Sequence, residues 1–213
     1  MVLPDGTVLL SGGCSRSDLG RGTSAAWLCK DGWVTSLPAH MTCMRWGHTA
    51  TQLNDGRVLI TGLGRVNDSD AQTAELYDPV KQTFTATGPM TQCRGWHTAS
   101  LLHDGRVLIT GGLDNHSNPM ATAGFFNPKT GQFSAALHTM QHPRAHHTAT
   151  PVAGGCVLIV SDTSAELFPD ADDSFVSTAA PSTRRLRHAA VALADGRVLV
   201  AGGYDTGWVA FQA

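Results

Sequence analysis

Arg45-Trp46-Gly47-His48-Thr49-Ala50-Thr51-Gln52-Leu53-Asn54-Asp55-Gly56-Arg57-Val58-Leu59-Ile60-Thr61-Gly62 contains two strand signals joined by a turn signal. Thr49 to Leu53 carries β-branched residues and reads as a strand. Asn54-Asp55-Gly56-Arg57 reads as a tight hairpin, because Asp-Gly supplies the positive φ angles that a two-residue primed turn needs. Val58-Leu59-Ile60-Thr61 is apolar almost throughout, as expected of a central strand packed on both faces. Downstream, a polar loop leads to Ala74-Glu75-Leu76-Tyr77, a turn at Asp78-Pro79-Val80-Lys81, and a fourth strand, Gln82 to Ala86. Four short strands thus follow one another as an antiparallel meander.

The phrase returns at Arg94–Gly112, Arg144–Asp162 and Arg185–Gly203, and its tail alone stands at Asp5–Gly13. The turn positions Asp5, Asp55, Asp104, Gly154 and Asp195 are separated by 50, 49, 50 and 41 residues. A period near 50 built of short strands and Gly-rich turns predicts an all-β β-propeller. The expected organisation is a single domain over 1–213, with blades at approximately 1–41, 42–91, 92–141, 142–182 and 183–213. The first blade keeps only Val2-Leu3 of its opening strand, and the fifth stops after a strand at Trp208–Phe211. This is read as a five-bladed ring with incomplete first and last blades. The competing picture is a piece of a larger ring, or one that self-associates through those incomplete blades.

Bulk properties narrow the function. Net charge is -2 with 15% charged residues, which argues against a duplex nucleic-acid binder. No apolar run is long enough for a membrane helix, and the chain enters its repeat at once with no leader-like segment, favouring the cytoplasm. The five cysteines, Cys14, Cys29, Cys43, Cys93 and Cys156, read as small buried thiols in a reduced compartment. Cys43 and Cys93 precede equivalent phrases and could approach each other across neighbouring blades.

In a meander the connections alternate between two ends. One end holds the near-identical Asp-Gly, Asp-Pro and Asn-Pro turns and reads as structural. The other holds the varied loops and the residues leading into each first strand, where a repeat scaffold usually carries its binding surface. There the register is strict: His48, His97, His147 and His188 each stand 7 residues before the turn position, and Arg45, Arg94, Arg144 and Arg185 stand 10 before it. Trp46, Trp96, His146 and Arg187 fill the slots between, and the loops add Arg16, Asp18, Arg21, Arg65, Asp68, Asp70, Asp114, Asn115, His116, Tyr204 and Asp205. The eight Arg, Trp and His residues Arg45, Trp46, Arg94, Trp96, Arg144, His146, Arg185 and Arg187 therefore form the candidate ligand-binding mouth of a central channel. Arg offers a planar fork of donors for carboxylate, phosphate or sulfate, and Trp a face on which a sugar or aromatic ring stacks. The alternative for each Arg is a structural bond to loop carbonyls of the neighbouring blade. For each His it is fixing the start of the first strand.

In "RWGHTATQLNDGRVLITG" and "AELYDPVKQTFTATGPM" the chain resembles kelch-repeat proteins, especially bacterial ones of the galactose-oxidase central-domain kind. In copper radical enzymes of that kind a His at the Arg-x-x-His position is a metal ligand, preceded by a Tyr. The resemblance maps the metal role onto His48, His97, His147 and His188, with Cu or Zn as the cofactor. The preceding slots hold Gly47, Trp96, His146 and Arg187, and the only tyrosines are Tyr77 and Tyr204, so the radical tyrosine is missing. Small propellers with a metal in the channel also include some glutaminyl cyclases, a link of architecture alone. Three functions follow as expectations. The first is a binding module holding an acidic peptide, an anionic or sugar-like small molecule, or a protein. The second is an enzyme, metal-dependent through His97, His147 and His188, oxidase-like or cyclase-like, or acid–base through His146 and Asp114. The third is a structural propeller or fragment.

Overall fold

The computed structural model describes residues 1–14, 22–62 and 72–204. Among them, seventeen strands form five small antiparallel sheets, each in strict meander order. Sheet I comprises β1 (Val8–Ser11), β2 (Ala26–Lys30) and β3 (Trp33–Ser36); sheet II, β4 (Thr49–Gln52), β5 (Val58–Thr61), β6 (Ala74–Asp78) and β7 (Thr83–Ala86). Sheet III comprises β8 (Thr98–Leu101), β9 (Val107–Thr110), β10 (Ala123–Asn127) and β11 (Gln132–Ala135). Sheet IV comprises β12 (Thr148–Val152), β13 (Cys156–Val160), β14 (Ala165–Pro169) and β15 (Val176–Thr178), and sheet V, β16 (Ala189–Ala192) and β17 (Val198–Ala201). A bridge between Val2 and Val8 marks the remnant of a first strand in sheet I. The expected strand at Trp208–Phe211 lies outside the described residues. The arrangement is all-β and β-propeller-like: the first strands of successive sheets pack in the series β4, β8, β12, β16.

The second strand of each complete sheet explains the stacking. Val58, Leu59, Ile60 and Thr61 are all buried. Because side chains alternate across a strand, Val58 and Ile60 enter a cluster with Leu9, Ala26 and Tyr77 toward sheet I, while Leu59 enters one with Val107, Ile109 and Phe126 toward sheet III. Leu108 and Phe125 then pack against Val157, Ile159 and Phe168 of sheet IV. The core is thus a series of layers between sheets. On sheet V, Val191 and Leu199 are 54% and 51% exposed.

The Asp-Gly turns differ in detail from the expectation. Only the glycine has a positive φ (+86° at Gly56), and the Leu53 amide donates to the Arg57 carbonyl at 2.8 Å. This is a three-residue loop closed by a glycine in the left-handed region, not a two-residue primed turn. Asp55 tightens it by accepting from the Arg57 amide (3.1 Å) and Nε (2.8 Å), and Asp104–Arg106 and Asp195–Arg197 repeat the device. All five cysteines are free thiols, so Cys43 and Cys93 are not joined.

Candidate functional site

The phrase that opens each repeat builds two layers, one buried and one facing outward. Arg45, Arg94 and Arg144 belong to the buried layer, with side chains at most 2% exposed. The Arg45 guanidinium donates from Nε to Glu75 Oε1 (2.8 Å) and from Nη1 to the carbonyls of Gly62 (3.0 Å) and Thr73 (3.1 Å). It therefore ties the end of β5 to the start of β6. Arg94 does the same in sheet III through the Gly111 (2.7 Å) and Thr122 (3.1 Å) carbonyls, and Arg144 in sheet IV through the Ser164 carbonyl (3.0 Å) and the Glu166 carboxylate. Arg185 donates to the Gly202 carbonyl at 3.0 Å. The carbonyls belong to the arginine's own sheet, whereas the sequence suggested the neighbouring one. Glu75 and Glu166 were not singled out from the sequence. Their signal is the recurring Ala-Glu-Leu at 74–76 and 165–167, aligned by register with Ala123-Gly124-Phe125.

Of the four repeated histidines, His97, His147 and His188 are also buried and His48 is partly buried, and each reaches back to the preceding sheet. His97 Nε2 lies 2.9 Å from Thr61 Oγ1 and 3.2 Å from Thr49 Oγ1. His147 Nε2 meets Thr98 (3.0 Å) and Thr110 (3.2 Å), His48 meets Ser11 (3.1 Å), and His188 meets Thr148 (3.0 Å). Burial, reinforced by the arginines close by, lowers the pKa of His48 to about 4, of His147 to about 3, and that of His97 well below its ordinary value, so all three are neutral in the fold. Each imidazole thus serves a separate sheet–sheet interface, and among the described residues no three His, Cys, Asp or Glu side chains gather to hold a metal.

The outward layer is formed by the residues just before these histidines. Gly47, Trp96, His146 and Arg187 occupy equivalent positions, all with positive φ (64°, 57°, 54° and 52°). Left-handed backbone at a bulky Trp is a genuine departure from normal sterics. Here it is imposed by a chain of backbone bonds running sheet to sheet: the Trp96 amide donates to the Gly47 carbonyl (2.8 Å) and the His146 amide to the Trp96 carbonyl (3.1 Å). The side chains consequently lie against one another. Trp46 and Trp96 meet edge to face at 5.6 Å, Trp96 and His146 rings are 4.6 Å apart, and the Arg187 guanidinium stands 5.5 Å from the Trp96 ring. His146 is lowered to about 4 by burial and by Arg187, leaving Arg187 as the cation of the group at neutral pH.

Asp114 accepts from the amides of His116 and Asn118 (2.8 Å each) within its own loop, and no contact joins it to His146. Arg16, Asp18, Arg21, Arg65, Asp68, Asp70 and Asp205 lie outside the described residues. A cavity of about 970 Å³ lies at the opposite end, the one read from sequence as structural. It opens between sheets I and II among Leu3, Leu28, Trp33, Arg57, Pro79 and Val80. Trp33, 80% exposed, is at its rim.

No protein-family model matches this chain, and no curated protein does. The chain is similar in fold to a solved structure titled "Structure of YjhT", with a TM-score of 0.79 and 13% identity, over 98% of this chain and 77% of that one. A likeness at that identity shows a multi-sheet, β-propeller-like fold.

Proposed function

We propose that the chain is a kelch-type propeller of five blades, corresponding to the five sheets, and a binding module that holds an acidic or sugar-like partner on the Trp46–Trp96–His146–Arg187 ribbon. The observation that carries this is the ribbon itself. A tryptophan is held in left-handed backbone, beside a second tryptophan, a neutral imidazole and an exposed guanidinium, on contiguous sheets. Side chains held against backbone preference present a preorganised surface, and preorganisation lowers the cost of binding. The chemistry selects a ligand with one flat apolar face and one carboxylate: the face stacks on Trp96 and the carboxylate pairs with Arg187. The neutral His146 supplies a further donor or acceptor. Arg45, Arg94 and Arg144 contribute by holding the sheets that carry the ribbon.

The test is tryptophan fluorescence titrated with glucuronate, with glucose, and with a short oligoglutamate peptide. Trp96→Gly is the informative variant, because Gly47 shows that glycine suits this backbone position. The reading expects saturable quenching by glucuronate, weaker quenching by neutral glucose, and loss of both in Trp96→Gly. Equal responses in wild type and variant would refute it.

A further inference from the structure

Sheets II and IV each bury an arginine against a glutamate, but sheet III does not. In sheet II, Glu75 accepts a hydrogen bond from Arg45 Nε on one oxygen and from the Thr42 amide on the other, at 2.9 Å. In sheet IV, Glu166 pairs with Arg144 and accepts the Gln141 amide at 3.0 Å. The matching residue of sheet III is Gly124, and the matching amide is that of Thr91.

Arg94 is as buried as its counterparts, at 2% exposure, yet no carboxylate of the described residues pairs with it. Its Nη groups donate to the Gly111 and Thr122 carbonyls, to Thr122 Oγ1 and to the neutral Gln92 side chain (3.1 Å). Burial with no compensating charge lowers its pKa to about 10, although a guanidinium there still carries its proton at neutral pH. Where the glutamate would sit there is a small cavity lined by Thr91, Arg94, Gly124, Phe133 and Ser134. Its volume is about 10 Å³, room for one water-sized particle. A buried charge without a partner is costly, and a cavity beside it provides the place for a counter-charge.

We propose that this cavity is a halide site, in which a chloride ion replaces the glutamate carboxylate of the other two sheets and is held by Arg94 and the Thr91 amide. A cavity this small excludes an acetate or phosphate, so the counter-ion is a single atom. The ion completes the electrostatics of sheet III and stabilises the folded chain, independently of any ligand on the tryptophan ribbon.

The experiment is thermal unfolding of the wild-type chain in sodium chloride and in sodium gluconate at equal ionic strength, together with anomalous diffraction from crystals grown in sodium bromide. The proposal expects a midpoint several degrees higher in chloride, rising with the logarithm of its concentration. It expects a bromide peak beside Arg94 and none beside Arg45 or Arg144. Gly124→Glu supplies an internal carboxylate and abolishes the chloride response, provided β11 shifts slightly, because a Cβ there meets the Ser134 carbonyl oxygen at 2.8 Å. If that variant does not fold, the bromide map decides alone. Equal midpoints in the two salts, no peak at Arg94, or a chloride response that persists in folded Gly124→Glu would each overturn the proposal.

Discussion

Replacing Glu75 by glutamine tests the buried ion pair on which the arginine layer rests. Arg45 and Glu75 are both 0% exposed, and their bond is 2.8 Å. Glutamine keeps the shape and an acceptor oxygen but removes the counter-charge. Removing one partner of a buried pair costs about 3–5 kcal/mol, because the remaining charge is left in a medium that solvates it poorly. Since Arg45 keeps its two carbonyl acceptors and the amide oxygen, the lower end, about 3 kcal/mol, applies. For a chain of this length about 2–4 °C of midpoint accompanies each kcal/mol, so the melting temperature should fall by about 6–12 °C. The assay is far-UV circular dichroism on heating, with urea unfolding for the free energy. The companion is the double variant Arg45→Met, Glu75→Leu, which removes both charges and should recover most of the loss. A loss below about 1 kcal/mol for Glu75→Gln, typical of an exposed pair, would refute the reasoning. So would a double variant worse than the single one.

Acid should destabilise the fold before its carboxylates titrate. His48, His97 and His147 are neutral when folded but protonate near pH 6.5 when unfolded. The unfolded state therefore binds more protons below that pH, and stability falls as pH drops from 6.5 toward 4, at about 1.4 kcal/mol per pH unit for each imidazole. Urea midpoints at pH 7 and pH 5 measure this, and equal midpoints would exclude the buried neutral state. Two glycine variants separate close contact from backbone strain. At Gly62 (φ +80°) an added Cβ meets His97 Cε1 at 2.4 Å and the Arg94 carbonyl at 2.5 Å, whereas at Gly56 (φ +86°) it meets nothing within 4 Å. Gly56→Ala should cost about 1–2 kcal/mol from left-handed backbone alone, and Gly62→Ala clearly more; similar losses in urea unfolding would contradict the packing.

Much of the architecture was legible because its signals are local. The recurring turn and the apolar run of Val58–Ile60 mark hairpin and central strand without knowledge of their neighbours, and the observed strands follow them. The turn geometry was less so: Asp-Gly is compatible with both a primed turn and a glycine-closed three-residue loop, and the pairing of Gln52 with Val58 selects the second. For the candidate site, the register of Arg and His announced that these side chains recur at one level, but not their depth. A guanidinium at the mouth and one folded inward toward β6 share the same spacing. The deciding partner, Glu75, lies 30 residues downstream and looks like an ordinary charged residue in a strand. Likewise the repeat places Gly124 where Glu75 and Glu166 stand, but a linear reading does not show that this glycine removes a charge from the interior.

The sequence by itself determined that the chain is a meander of short strands repeated at a near-constant period, with Arg, His and their intervening residues recurring in step. Those properties reside in turn chemistry and in side-chain alternation, which act over a few residues. Which recurrent residues turn inward and which remain outside is set by the packing of one sheet on the next. Arg45, Arg94, His97 and His147 are buried because residues tens of positions away in the chain close over them. Trp96 and His146 are brought into contact with the help of backbone bonds between sheets, and Arg187, with the same left-handed bend, reaches over the Trp96 ring. Burial and juxtaposition depend on contacts between repeats, and a repeat read alone does not contain its neighbour.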